Sequence, residues 1–163
     1  MGAFHDYRAT ITWTGAGTTG TSSYTAYSRD HTVEFPGLPP LPASSDPAFR
    51  GDPTRYSPEQ LFVASLSDCH MLWFLHLASS HGIVVREYTD EATGRMRVES
   101  SGAGQFVDVT LRPRVTVDAG PDVSDEALAR VHELAHEHCF LARSVNFAVT
   151  VEPAPARIAQ PQA

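Results

Sequence analysis

The stretch from Ser57 to His81 constrains the fold most, because it has the pattern of one long helix with both ends marked. Ser57 is a good N-cap, Pro58 suits the first helical position, and Gln60 completes a capping box with Ser57. Gly82 can take the left-handed conformation just beyond the last turn. The sequence therefore predicts a helix that begins after Ser57 and ends before Gly82.

The apolar residues of this stretch surround the predicted helix and do not keep to one stripe. A helix that is apolar nearly all round must be buried on most sides. Asp68, His70 and His76 interrupt the run too often for a membrane span, so we expect a buried central helix and no membrane partner. The apolar residues concerned are Leu61, Phe62, Val63, Ala64, Leu66, Met71, Leu72, Trp73, Phe74, Leu75, Leu77 and Ala78.

The rest of the chain alternates mostly in the manner of strands. A proline-rich loop is predicted at 36–56, and loops of this length inside a compact domain are usually either functional or wrongly assigned. This one leads into the core helix and carries Arg50 and Arg55, so we expect a functional loop. Thr93-Gly94 predicts a hairpin turn between the strands that flank it. The order of elements predicts an α+β fold with antiparallel sheet against helices. Strands are predicted at 7–13, 22–28, 31–35, 83–88, 95–99, 105–117 and 145–151, and a second helix at 124–141.

Length and charge limit the class of protein. A chain of 163 residues fits a single domain, here predicted over 1–152, with a disordered tail at 153–163. The formal net charge of −7, with no run of Lys or Arg, argues against a nucleic-acid partner. The N-terminus has no basic segment followed by an apolar run, so we expect no secretory signal and a cytoplasmic protein.

The chain has two cysteines, Cys69 and Cys139. In a cytoplasmic protein such a pair is more often redox-active, metal-binding or simply buried than a structural disulfide. Buried free cysteines behave as small hydrophobic side chains. Asp68 and His70 flank Cys69, however, and His138 precedes Cys139, so polar neighbours favour reactive thiols at both positions.

The motif Ser57-Pro58-Glu59-Gln60-Leu61-Phe62, followed by Ala64-Ser65 and Cys69, resembles the signature of the OsmC/Ohr family. These are the osmotically inducible protein C and organic hydroperoxide resistance proteins. Their pattern is Asn-Pro-Glu-Glu/Gln-Leu, with one Cys ten residues after the Glu and a second Cys in a later helix. Glu59 and Cys69 have this spacing, and Cys139 lies where the second Cys is expected. The resemblance runs from the first strand to Val151, and Ser57 replaces the usual Asn.

This resemblance implies an OsmC-like α+β fold in which antiparallel sheets wrap around a buried central helix, in an intertwined homodimer. It implies a thiol peroxidase that reduces organic hydroperoxides without a cofactor or metal, and is itself reduced by a small-molecule or lipoyl-type dithiol. Cys69 would be the peroxidatic thiolate, Cys139 the resolving thiol and Glu59 the acidic partner. Among the arginines that could hold the thiolate, Arg50 fits the OsmC-type loop best. Arg29 and Arg55 are the alternatives.

The chemistry requires these residue types. A thiolate attacks the O–O bond, so the thiol needs a nearby cation, and arginine keeps its charge at every relevant pH. The resulting sulfenic acid must meet a second thiol before it is oxidised further. Glu59 and Cys69 are ten residues apart, which is about 15 Å along a helix, so a shared site would need Glu59 from a partner subunit.

Two alternatives to the peroxidase remain. His132-Glu133-Leu134-Ala135-His136 matches the H-E-x-x-H pattern, in which two histidines bind zinc and Glu133 acts as general base of a hydrolase. A third ligand would have to come from His138, Cys139 or Glu152. The second alternative is an OsmC-fold stress or binding protein without peroxidase turnover, which the missing Asn and the choice among three arginines suggest.

Overall fold

We describe the fold from a computed structural model of the chain, which describes residues 2–121 and 123–160. The chain divides into two compact units, residues 1–62 and 63–163. The first long helix, α1 (Pro58–Ser80), is continuous across the boundary between the units. The prediction of one domain over 1–152 is not decided by this division.

The first unit contains a three-stranded antiparallel sheet in the order β1-β2-β3. Its strands are β1 (Thr10–Trp13), β2 (His31–Glu34) and β3 (Leu41–Ala43). The strand predicted at 22–28 is wrong, because this segment forms turns and bends. Its backbone carbonyls at Tyr24 and Tyr27 accept hydrogen bonds from the Arg29 guanidinium.

The loop predicted at 36–56 has more structure than the sequence indicated. It contains β3 and a 3₁₀ turn at Pro47–Phe49. The side chain of Asp46 caps this turn by accepting a hydrogen bond from the Ala48 N–H at 2.7 Å. The segment that leads into α1 is therefore held by local hydrogen bonds.

Helix α1 has the ends that the sequence predicts. The Ser57 N–H donates to Gln60 Oε1 at 3.0 Å, and the Gln60 N–H donates to Ser57 Oγ at 3.3 Å, which confirms the capping box. Gly82 follows the helix with φ at +72°, the left-handed conformation that glycine adopts most easily. The short-range signals at both ends thus set the length of the helix.

The structure of a single chain does not show α1 buried on most sides, although its sequence predicts this. The fully buried residues of the helix form one stripe, Leu66, His70, Phe74 and Ala78, at intervals of four residues. Leu72 is 62% exposed. By length and composition α1 could also cross a membrane, a test that the core helix of a soluble protein passes equally well. Outside the stripe the apolar residues of α1 are only partly covered by the chain, as Trp73, Leu75 and Leu77 are where they pack against the core.

The second unit contains two three-stranded sheets, in the orders β4-β7-β9 and β5-β6-β8, and the helix α2. Both sheets are mixed, because β8 runs parallel to β6 and β9 runs parallel to β7, which corrects the prediction of antiparallel sheet alone. The elements are β4 (Val85–Asp90), β5 (Thr93–Val98), β6 (Gly104–Leu111), β7 (Pro113–Val117), α2 (Asp125–His138), β8 (Ala148–Val151) and β9 (Arg157–Ile158).

Two predicted features of this unit are wrong, because the strands pair differently from what their order in the sequence suggests. The hairpin at Thr93-Gly94 does not form, because β4 pairs with β7 and β5 pairs with β6. The single strand predicted at 105–117 is two strands in different sheets. At the break, the Arg112 N–H donates to Asp90 Oδ1 at 2.6 Å and Pro113 has no N–H to donate. The side chain of Asp90 thus ends β6 before β7 begins.

The C-terminal segment carries the last strand of the fold. Residues 157–158 form β9, and the Ala154 N–H donates to the Pro113 carbonyl at 3.0 Å. This part of the chain is paired with the sheet, contrary to the prediction of a disordered tail at 153–163. Residues 161–163 lie outside the described residues.

The core of the second unit lies between α1, α2 and the β4-β7-β9 sheet. Ser124 caps α2 by accepting a hydrogen bond from the Ala127 N–H at 3.1 Å, as its sequence predicts. Apolar residues at helical spacing place one face of α2 in this core. The helix α1, which also contributes to the core, carries both a cysteine and a histidine. The buried core consists of Phe74, Ala78, Ile83, Val115, Val117, Leu128, Val131 and Ala135.

Candidate functional site

The structure brings Cys69 and Cys139 together. Cys69 lies in the middle of α1 and is partly exposed, whereas Cys139 is the C-cap of α2 and is 1% exposed. Both are free thiols, and their side chains are near enough to interact. Two residues that lie seventy positions apart in sequence therefore meet at the contact between the two helices.

The two thiols have different environments. Burial, followed by the hydrogen bond with Cys69, raises the pKa of the Cys139 thiol to about 11. Cys139 therefore keeps its proton at neutral pH and can donate its S–H to Cys69. The Cys139 sulfur also accepts a hydrogen bond from the Ala142 N–H at 3.4 Å, which holds it against the turn that follows α2.

Aromatic side chains surround the end of α2 that carries Cys139. Trp73 lies one helical turn after Cys69 on α1. Its ring centroid is 5.1 Å from that of His138 and 5.4 Å from that of Phe140, the two neighbours of Cys139 in sequence. Trp73 thus packs against residues on both sides of Cys139, and Phe140 is 66% exposed.

A pair of buried histidines lies beside the cysteines. His70 Nε2 and His132 Nδ1 are 3.0 Å apart, and the residues are only 1% and 4% exposed. Burial lowers the pKa of His70 to about 4 and that of His132 to about 3. Both imidazoles are therefore neutral at neutral pH, and one nitrogen of the pair donates while the other accepts.

The H-E-x-x-H motif does not present a zinc site in this structure. His132 stacks on Phe74 at 4.1 Å between ring centroids and uses Nδ1 for His70. Glu133 accepts a hydrogen bond from Arg130 at 2.8 Å. Within 2–121 and 123–160, no group of three or more His, Cys, Asp or Glu side chains is placed to hold a metal ion.

The motif instead lines a cavity of about 310 Å³ together with Ala129, Val151 and Pro153. His136 faces this cavity, and its Nδ1 is buried without a hydrogen-bond partner among the described residues. The zinc alternative is not favoured, because the first histidine of the motif belongs to the core.

The three candidate arginines all belong to the first unit, whereas both cysteines belong to the second. Arg29 is enclosed by its own loop, with its guanidinium 4.4 Å and 4.2 Å from the ring centroids of Tyr24 and Tyr27. Arg55 lies 3.8 Å from Asp30 and 3.7 Å from Asp52. Two of the three guanidinium groups are thus already engaged within the first unit.

Arg50 differs from the other two arginines. It has a φ of +68°, which is uncommon for a residue other than glycine and marks positions held by their surroundings. Its guanidinium lies 5.9 Å from the Tyr24 ring centroid. In the part of the chain that the structure describes, we find no hydrogen bond or ion pair of this guanidinium. Among the three candidate arginines, Arg50 is therefore the one whose guanidinium is available to hold a thiolate.

Glu59 lies in the first turn of α1. One of its carboxylate oxygens, Oε2, is buried and has no hydrogen-bond partner within the described chain. A buried carboxylate oxygen without a partner is unfavourable, so a donor from outside this chain would stabilise it. The structure therefore leaves the predicted acidic residue without the cation expected beside it.

Sequence analysis did not identify the roles of His70, His132 and Trp73. His70 was considered only as a histidine of the core helix, and His132 only as a ligand in the alternative zinc site. The spacing of His132 and Cys139 carried a usable signal, because residues seven apart lie on the same face of a helix. A histidine and a cysteine on one face of α2, opposite a histidine and a cysteine on α1, would have suggested a common contact.

Comparison with known proteins agrees with the motif. A family model described as OsmC-like protein matches residues 51–154. A solved OsmC-like protein of unknown function from Vibrio cholerae is 35% identical, with a TM-score of 0.83 over 93% of this chain and 100% of that one. No curated protein matches the chain.

More distant structures share the fold. An organic hydroperoxide resistance protein from Elizabethkingia anophelis is 20% identical, with a TM-score of 0.67 over 98% of this chain and 100% of that one. One from Legionella pneumophila is 18% identical, with a TM-score of 0.67 over 97% and 100%. Together with the family model, which spans the capping motif and both cysteines, these observations establish that the chain belongs to the OsmC-like protein family.

Proposed function

We propose that this protein is a thiol peroxidase that reduces organic hydroperoxides with Cys69 as peroxidatic and Cys139 as resolving cysteine. The observation that carries the proposal is the proximity of the two free thiols, one partly exposed and one buried. An exposed sulfur can meet a substrate, and a buried protonated thiol beside it can complete a disulfide. The names of two structural relatives, organic hydroperoxide resistance proteins, support the same substrate class.

In the first step the Cys69 thiolate attacks the terminal oxygen of the hydroperoxide and breaks the O–O bond. Cys69 becomes a sulfenic acid, and the organic fragment leaves as an alcohol after it takes up a proton. In the second step the Cys139 sulfur displaces hydroxide from the sulfenic acid, which leaves as water with the Cys139 proton. The balance is two thiols and one hydroperoxide to one disulfide, one alcohol and one water.

The disulfide must then be reduced for turnover to continue. Thiol–disulfide exchange with a dithiol returns both cysteines and leaves the reductant as a disulfide. We propose a small-molecule or lipoyl-type dithiol as that reductant. Cys69 is the sulfur open to attack, since Cys139 is 1% exposed.

The surroundings of the cysteines favour an organic substrate. Phe140, which follows Cys139, is 66% exposed, and its ring centroid lies 5.4 Å from that of Trp73, one turn after Cys69. Apolar surface next to the reacting sulfur gains free energy by burying the alkyl or aryl part of a hydroperoxide, and hydrogen peroxide has no such part. We therefore propose alkyl and aryl hydroperoxides over hydrogen peroxide.

The function is tested by following both thiols of the reduced wild-type protein. One equivalent of cumene hydroperoxide is expected to remove two thiols and to lower the intact mass by the two hydrogens of an intramolecular disulfide. Thiol titration and intact-mass spectrometry measure the two quantities. Persistence of both thiols through many equivalents of peroxide would instead favour an OsmC-fold binding or stress protein without turnover.

We further propose a cytoplasmic homodimer. The apolar surface of α1 outside its one buried stripe needs a cover, and a second copy of α1 supplies a surface of the same chemistry. A dimer would also allow Glu59 of one subunit to serve Cys69 of the other, since the two residues are ten positions apart on one helix. The unpartnered Glu59 Oε2 is in keeping with such an arrangement.

Leu72→Asp is expected to convert the dimer to a monomer, because it places a charge in the proposed apolar contact. Light scattering coupled to size exclusion should give twice the chain mass of 17.7 kDa for the wild type and a single chain mass for the variant. Ala129→Asp, which adds the same charge at an exposed position of α2, is the matched control and should remain dimeric. A monomeric wild type at micromolar concentration would contradict the dimer.

A further inference from the structure

The His70–His132 contact joins the two helices that carry the cysteines. His70 belongs to the buried stripe of α1, and His132 belongs to the buried face of α2. The planes of the two imidazole rings are nearly parallel, at 4° to each other. The His132 ring also stacks on Phe74. With 3.0 Å between the two nitrogens, the pair forms a directional bond between the helices inside an otherwise apolar core.

A polar pair at this place is not the most stable way to fill the core. His70 Nδ1 is buried and has no hydrogen-bond partner among the described residues, so the pair leaves one polar atom unsatisfied. Two apolar side chains of similar volume would avoid this desolvation penalty. The hydrogen bond differs from apolar packing in one respect, because it requires a particular distance and angle between the helices.

Each histidine lies on the same helix as one of the two cysteines. Cys69 immediately precedes His70 on α1. Cys139 follows His132 by seven residues, which places the two on the same face of α2. A shift or rotation of α2 that broke the His70–His132 bond would therefore also move Cys139 relative to Cys69.

Formation of a disulfide depends on this placement. Two cysteines can be joined only when their Cβ atoms are about 3.5–4.5 Å apart and the dihedral angle about the S–S bond is close to 90°. The thiols are already near each other in the reduced protein, so a small displacement of α2 is sufficient to favour or prevent closure.

We propose that His70 and His132 are positioning residues, whose buried hydrogen bond holds α2 against α1 in the register that lets Cys139 close the disulfide with Cys69. The proposal rests on the proposed function for the source of the sulfenic acid. Disulfide closure itself needs only an oxidant, so it can be measured without a peroxide. Neither histidine is expected to touch the substrate.

The experiment measures the equilibrium between the protein and glutathione. Oxidised glutathione accepts two electrons and two protons from Cys69 and Cys139, which gives the intramolecular disulfide and two reduced glutathione molecules. Quenched samples analysed by intact mass give the equilibrium constant. His132→Phe keeps a ring of similar size on Phe74 and removes the hydrogen bond. We expect it to lower the equilibrium constant about tenfold, which corresponds to about 1.4 kcal/mol.

A rescue variant and a control separate positioning from general stability. His132→Asn can place an amide atom near the position of Nδ1 and is expected to restore the equilibrium constant to within about threefold of the wild type. Leu128→Ala removes a buried side chain from the same face of α2 and leaves both histidines unchanged. A loss of stability shared by the reduced and oxidised forms leaves the constant unchanged, so Leu128→Ala should resemble the wild type.

The outcomes divide as follows. An unchanged constant in a folded His132→Phe protein, or an equal decrease in Leu128→Ala, overturns the proposal. If His132→Phe does not fold, the comparison of His70→Gln and His132→Asn with Leu128→Ala decides it. A constant more than about threefold below that of Leu128→Ala in both amide variants then overturns the proposal. A wild-type protein that closes with oxidised glutathione and ignores cumene hydroperoxide overturns the peroxidase and leaves the positioning role intact.

Discussion

Replacing Cys69 by serine is expected to abolish the loss of thiols that organic hydroperoxide causes in the wild-type protein. A serine hydroxyl is not ionised at neutral pH and does not attack the O–O bond, so the rate should fall at least about a thousandfold. The remaining Cys139 is 1% exposed, and burial raises its pKa to about 11, so it cannot substitute as the thiolate. Stopped-flow consumption of cumene hydroperoxide and thiol titration measure the effect.

The matched variant is Cys139→Ser, which keeps the first step and removes the second. Cys69 should react with one equivalent of hydroperoxide at a rate within a few fold of the wild type. The product should gain one oxygen in the intact mass and then two or three oxygens as peroxide is added, because no thiol is available to form the disulfide. A reagent that traps sulfenic acids should label this variant and not Cys69→Ser.

The pair of variants distinguishes the roles of the two cysteines. Equal loss of reaction in both variants would mean that the two thiols act as one unit in the first step, contrary to the assignment. Peroxide consumption that survives Cys69→Ser would remove Cys69 as the nucleophile. The zinc-hydrolase alternative predicts hydrolytic activity that is insensitive to Cys69→Ser.

The features of the fold that the sequence predicted correctly are those that depend on neighbouring residues. The ends of α1 follow from the capping box of Ser57 and Gln60 and from Gly82, and all three lie within one turn of the helix they limit. The start of α2 follows from Ser124 in the same way. Capping is a local interaction, and the residues that decide it are adjacent in sequence.

The features that the sequence predicted wrongly depend on distant residues. The pattern at 105–117 alternates as one strand, yet Asp90, more than twenty residues earlier, accepts the Arg112 N–H and ends β6. The pairing of β4 with β7 in place of β5 also joins segments far apart in sequence. Alternation indicates that a segment is a strand and carries no information about the strand beside it.

For the site, the motif located both cysteines, and the structure added what surrounds them. The contact of Cys69 with Cys139 was expected only from resemblance, since no spacing along a chain fixes a distance between two helices. The zinc alternative for His132 arose because H-E-x-x-H describes a helix face, and the same face can point into a core, as it does here. Burial, which decides between ligand and core histidine, depends on the tertiary packing.

Replacing Arg50 by methionine is expected to slow the oxidation of Cys69 by about 30-fold at pH 7. A cysteine without a neighbouring cation is only about 3% thiolate at that pH. Methionine has a similar length and no charge, so the rate that remains is that of the reaction without this guanidinium. Stopped-flow rates with one equivalent of cumene hydroperoxide at pH 7 measure the effect.

Arg29→Met and Arg55→Met are the matched controls, because each removes the same charge from the first unit. Arg29 is held between Tyr24 and Tyr27, and Arg55 lies beside two aspartates, so both guanidinium groups already have partners. Their loss should lower the stability of the first unit and change the rate at pH 7 by less than about threefold. A 30-fold effect at Arg29 or Arg55, with none at Arg50, would transfer the activating role to that residue. Equal small effects at all three would mean that no arginine activates Cys69.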